Sequence, residues 1–210
     1  MPYTANAGVF LIQALFGLYI LAVMLRFLLQ LVRANFYNPL VQVLVKVTNP
    51  PLIRLRRFIP GLWGIDLSAV VLLVVLQVVE LLLIFAVVGQ SVTPGGVAVL
   101  AGAELLSLLL NVFFWSVLIV VILSWVNPDP YHPGISVLRQ LTEPVLRPAR
   151  QLLPPVSGLD LSPILVMIAL QLGRFLVIDP LRDLGIQLST PGGWGSSLAP
   201  SVVLAHLGGL

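Results

Sequence analysis

The chain has no cysteine among its 210 residues, and only 9% of them are charged. The first absence excludes disulfides, thiolate metal sites and a cysteine nucleophile. The second excludes an ordinary soluble surface, because typical soluble domains carry about 25% charged residues. Histidine is scarce as well. His132 and His206 lack acidic partners at ligand spacing, so no metal site is expected. No serine sits in a G-x-S-x-G turn and no glycine pattern forms a phosphate loop or dinucleotide fingerprint; Gly95-Gly96 and Gly192-Gly193 signal loops. With no catalytic residue and no cofactor site in view, a non-enzymatic protein is expected.

Apolar residues make up 59% of the chain, gathered into four runs at about 7–32, 67–88, 105–126 (a start as early as 97 is open) and 161–178. Each meets or approaches the ~20 residues that a helix needs to cross a hydrocarbon core of ~30 Å. Backbone groups find no water there, so helices are expected rather than the short alternating strands of a barrel. Residues 1–25 carry no Lys or Arg and the first run is longer than a signal-peptide core, so it is expected to remain as a helix. The fold class is therefore all-α: a membrane protein of four transmembrane helices.

The sequence is also duplicated. Thr142 follows Thr48 by 94 residues, and segments 48–68 and 142–162 align without a gap. The expected organisation is a first repeat at 1–96 with a motif loop at 33–66, a second at 97–180 with a motif loop at 127–160, and an interfacial or disordered tail at 181–210. Eight of the eleven basic residues lie in the two motif loops, namely Arg33, Lys46, Arg54, Arg56, Arg57, Arg139, Arg147 and Arg150. Positive charge favours the cytoplasmic side, which places both loops inside and both termini outside. The repeats are then parallel, related by an axis along the membrane normal.

Each motif loop has the pattern of two short amphipathic helices lying in the membrane interface, split at Thr48-Asn49-Pro50 or Thr142-Glu143-Pro144. Pro60 and Pro154-Pro155 stop them, Gly64 and Gly158 permit a tight turn, and Asp66 or Asp160 caps the span that follows. Arg54, Arg56, Arg57, Arg147 and Arg150 either form a docking surface for anionic lipid or a protein partner, or serve only to orient the chain. Arg56 and Arg150 each stand ten residues before an aspartate, so the pairs Arg56 with Asp66 and Arg150 with Asp160 are expected.

Inside the spans, Glu80 and Arg174 occupy equivalent positions, with Gln77 and Gln171 three residues earlier. A buried charge is costly in lipid, by ~2.5–3.5 kcal/mol on insertion scales. An intramembrane polar cluster of Arg26, Gln77, Glu80, Gln171 and Arg174 is therefore expected, acting as a structural bridge or as an ion or proton path. Trp63, Trp125, Tyr37 and Tyr131 suit an interfacial aromatic belt. A formal charge of +3 without interleaved aromatics gives no reason to expect nucleic acid.

The run Thr142-Glu143-Pro144-Val145-Leu146-Arg147-Pro148-Ala149-Arg150, with Leu153-Pro154-Pro155, Gly158-Leu159-Asp160-Leu161-Ser162-Pro163 and the preceding Leu123-Ser124-Trp125-Val126-Asn127-Pro128, resembles the YggT (also YlmG) integral membrane family. The likeness extends from about Phe10 to Pro180. The first copy departs from it at Asn49, Arg54, Gly61 and Ala69. The resemblance implies a bacterial inner-membrane protein with plastid relatives, linked in various members to assembly of membrane complexes, division or nucleoid organisation, and osmotic tolerance. Two functional classes follow. One is a membrane scaffold or assembly factor in contact with lipids and an unidentified protein partner, with homo-oligomers possible. The other is a small channel or transporter for ion or osmotic balance using Arg26, Glu80 and Arg174.

Overall fold

The computed structural model describes residues 2–59, 66–126, 132–153 and 160–189, and all regular structure within them is helical. The proline and glycine signals at 60–64 and 154–158, Trp63, Tyr131, the Trp125 side chain, and the chain from 190 on, with Gly192-Gly193 and His206, lie outside the described part.

The elements are α1 (Pro2–Leu31), α2 (Pro39–Arg56), α3 (Leu67–Val88), α4 (Pro94–Val126), α5 (Pro133–Leu152), α6 (Ser162–Gly173), a π-helical turn (Arg174–Ile178) and α7 (Asp179–Ser189). Four helices are long and apolar enough to cross a membrane: α1, α3, α4, and the continuous rod from α6 through α7. Their outer faces expose large apolar side chains such as Leu15, Leu18, Trp115 and Leu176, which water would penalise and lipid would not.

Helix ends follow local chemistry. Asn38 and Asp66 accept hydrogen bonds from the first turns of α2 and α3, and Gly89 closes α3 at φ 75°, where a side chain would be strained. Arg33 takes the same left-handed conformation after α1, with φ 53°, although it is not glycine. Gly95 and Gly96, expected in a loop, lie in the first turn of α4. Thr93 caps that turn, its hydroxyl accepting from the Gly96 amide at 3.2 Å and donating to the Leu188 carbonyl.

Three expectations are corrected. The third span begins at Pro94, well before 105 and close to the earlier start at 97, and so takes in Glu104, whose charge Arg182 neutralises. The fourth continues past Ile178 to Ser189. Pro180 donates no hydrogen bond, and the preceding π-turn, closed by Asp179 N to Arg174 O, accommodates the lost bond without ending the rod. The motif loops each hold one continuous helix, not two. Pro50, Pro144 and Pro148 sit on exposed faces, while the opposite faces bury Thr48 and Leu52 or Thr142, Leu146 and Ala149. An interior proline costs ~3 kcal/mol or more and full burial of a leucine contributes roughly 1.5–3 kcal/mol, so it is the several residues buried on each helix together that hold it intact.

The main core is built from Ile20, Val23, Leu28 and Leu29 of α1, Leu72 and Leu73 of α3, Val112 of α4, and inward residues of α2 and α5 such as Leu52 and Leu141. A second cluster around Leu81, Phe85 and Leu100 ties α3 to α4, and a third joins Val117, Leu146 and Val166. Glycine brings α4 and α7 together: a Cβ on Gly185 would lie 2.7 Å from Leu100 Cγ, and one on Gly96 would strike the Ser189 backbone.

Candidate functional site

The two motif segments repeat the same contacts at the same spacing. Asn38 caps α2 and His132, 94 residues later, caps α5, its Nδ1 accepting from Gly134 N at 3.2 Å. The Thr48 hydroxyl donates to the Leu44 carbonyl, and that of Thr142 to Leu138. Ser68 donates to Ile59 O at 2.8 Å, and its counterpart Ser162 to Leu153 O at 3.3 Å. Arg56 pairs with Asp66, and Arg150 Nε lies 3.1 Å from Asp160 Oδ2. Each of α2 and α5 is thus fastened to the start of the following span by a serine and an ion pair. The two modules also touch, since Asn38 donates to Pro133 O at 2.8 Å and Asn35 N to Gln140 Oε1 at 3.0 Å.

The copies differ at one joint. Arg26, five residues from the end of α1, donates to Val45 O at 3.3 Å, Thr48 Oγ1 at 2.8 Å and Asn49 Oδ1 at 2.9 Å, which pins α2 to α1. The equivalent of Arg26 is Val120, and the equivalent of Asn49 is Glu143. In this copy Glu143 turns outward and accepts from Arg150 at 3.3 Å. Arg54, Arg57 and Arg147 are exposed and have no carboxylate within ion-pair range among the described residues.

The intramembrane cluster differs from the one expected. Glu80 does not meet Arg174; its carboxylate accepts from Gln77 Nε2 at 2.9 Å. Arg174 lies in the π-turn and forms no ion pair among the described residues, Gln171 is half-buried on the preceding turn, and Arg26 is committed to α2. The buried ion pair is instead Arg182 with Glu104, whose guanidinium and carboxylate meet through two hydrogen bonds of 2.8 and 2.9 Å. Sequence reasoning missed it because the repeat offers no parallel: the matching positions are Phe10 and Val88. Glu80, Gln77, Glu104 and Arg182 line a pocket of about 530 Å³ among α1, α3, α4 and α7, together with Gln13, Ser107, Asn111 and apolar side chains. Among the described residues no group of three His, Cys, Asp or Glu is arranged to hold a metal.

The architecture defines a class, an all-helical protein with four spans of membrane-crossing length and an internal duplication. Residues 5–87 and 99–181 each match the CCB3/YggT family, and the chain belongs to that family. It is 48% identical over 180 residues to an uncharacterized protein of Pseudomonas aeruginosa, covering 84% of this chain and 90% of that one. An uncharacterized protein of Vibrio alginolyticus is 41% identical, with 87% and 100% covered. The protein YggT of Escherichia coli K12, also uncharacterized, is 35% identical, with 90% and 98% covered. No solved structure matches the chain.

Proposed function

We propose that the chain is a non-enzymatic scaffold or assembly factor of the bacterial inner membrane. Its α2 and α5 lie in the cytoplasmic interface and dock an anionic surface, either lipid headgroups or an acidic partner protein. The observation that carries this reading is the division of labour among the motif arginines. Arg56 and Arg150 are engaged by Asp66 and Asp160, whereas Arg54, Arg57 and Arg147 stand exposed beside apolar side chains such as Ile53, Phe58 and Leu152. Free cations next to exposed apolar groups suit a headgroup boundary, where each charge is worth ~1 kcal/mol on an anionic leaflet. The excess of basic residues in these segments supports a cytoplasmic location. Less supports a channel through Arg26, Glu80 and Arg174, because Arg26 donates to α2 and Glu80 bonds Gln77.

The test is crosslinking in native membranes with a photoreactive group at Phe58, followed by identification of the products and by counting of retained anionic lipids in native mass spectrometry. The variant R54Q/R57Q/R147Q is expected to insert normally and to lose the crosslinked partner or the retained lipid. Unchanged crosslinks and unchanged lipid retention would overturn the reading.

A further inference from the structure

We infer that the pocket among α1, α3, α4 and α7 binds a small organic cation, with its ammonium group seated on Glu80 and its apolar body against the helix walls. The volume of about 530 Å³ falls within the range of roughly 300–1,000 Å³ typical of small-molecule sites. Much of the wall is apolar, supplied by residues such as Phe10, Leu21 and Ile84.

Charge selects the ligand. Arg182 is neutralised by Glu104 through the two bonds of a bidentate pair, so the pair presents no net positive charge to an anion. Glu80 is 7% exposed, and its carboxylate accepts from the neutral amide of Gln77; no basic nitrogen among the described residues comes within 4.0 Å of it. One buried carboxylate in the pocket therefore lacks a counter-charge between apolar helices, a condition relieved either by a proton or by a cation from outside, and a cation that brings its own apolar body also fills the space. A bare metal ion suits the site poorly, since no trio of ligating side chains converges there among the described residues and the space far exceeds an ion. An acyl chain would fill the volume but make no use of the Glu80 carboxylate. An alkylammonium answers both halves of the pocket.

Position along the helices sets the side of approach. Glu80 lies nine residues before Gly89 and Glu104 ten after Pro94, about 13–15 Å from those helix ends. The amphipathic helices α2 and α5 join the opposite ends of these spans, so the pocket belongs to the half of the bundle away from the basic face.

The experiment is isothermal titration of the full chain in neutral-lipid nanodiscs with n-hexylammonium, 1-heptanol, and sodium and potassium chloride at equal ionic strength. Saturable binding of the ammonium is expected, roughly tenfold or more tighter than the alcohol, the effect of one charge-assisted contact. E80Q, which keeps the shape and the partner Gln77, should abolish that preference and leave the alcohol unaffected. Gly17 lines the pocket and a Cβ there meets nothing within 4 Å, so G17L should fill the space and lose all probes without loss of thermal stability. Equal binding of ammonium and alcohol, wild-type binding by E80Q, saturable binding of the alkali ions alone, or no saturable binding at all would each overturn the inference.

Discussion

Arg182 grips Glu104 across 78 residues of sequence through two hydrogen bonds of 2.8 and 2.9 Å, joining the last turns of the chain's fourth span to its third. Removing one member leaves the other charged and buried, which typically costs 3–5 kcal/mol, whereas removing both leaves no orphan charge. R182Q and E104Q are each expected to lower stability by about that amount, and E104Q/R182Q to recover a large part of it. Unfolding in mixed micelles with increasing denaturing detergent measures all three, and equal losses in singles and double would contradict the pairing.

The joint between α1 and α2 rests on Arg26, whose three hydrogen bonds reach one side of α2. Bonds to a charged group contribute roughly 1.5–3 kcal/mol. R26M should release α2 locally, seen as faster hydrogen exchange at the amides of Thr48, Asn49 and Leu52, with α5 unaffected because Val120 has no such role. R26K should show an intermediate rate.

Acid should loosen the junction of α5 with α6. Burial pushes the Asp160 carboxyl up, but hydrogen bonds from Ser162 and the Arg150 guanidinium outweigh it and hold the group below its ordinary value. A lowered folded value means that the stabilisation is complete above the unfolded value of about 3.9 and is lost as pH falls through the lower one. Because the chain has no native cysteine, a fluorophore on L152C reports this junction alone. Its signal should change only on the acid side of about pH 3.9, and D160N should already show the acid signal at neutral pH.

Close approach of α4 and α7 gives a sharp steric contrast within one dipeptide. A Cβ on Gly96 collides with Ser189, while one on Gly95 meets nothing within 4 Å. G96A should lose about 1–3 kcal/mol, the usual cost of overpacking, and G95A should be nearly neutral. Denaturing-detergent titration of the two variants is the measurement.

Much of this architecture was legible in the sequence for physical reasons. Apolar length fixes the number of spans, and the 94-residue offset marks equivalent positions in the two motif segments. The ten-residue spacing of Arg56 to Asp66 and Arg150 to Asp160 is visible in both copies, and the structure brings each pair together. What escaped depended on differences between the copies. Glu104 and Arg182 match Phe10 and Val88, so the repeat is silent about them. Arg26 looked like a member of an intramembrane cluster because its depth in α1 was read from an apolar run that continues past it; its long side chain instead reaches sideways to α2. Thr-Asn-Pro and Thr-Glu-Pro suggested breaks because proline ends helices locally, but the residues buried together on the opposite faces, Leu52 and Leu146 among them, hold α2 and α5 intact.

The π-turn at Arg174–Ile178 also acts as an indexing step. It places one additional residue in a turn of the fourth span, and in a helix of 3.6 residues per turn one residue corresponds to a rotation of about 100°. Everything beyond it, Arg182 included, faces a direction that an uninterrupted helix would not give. Such a click in one copy breaks the symmetry of a duplicated chain without changing the number of spans, and it aims the second copy's last helix at a carboxylate for which the first copy has no counterpart.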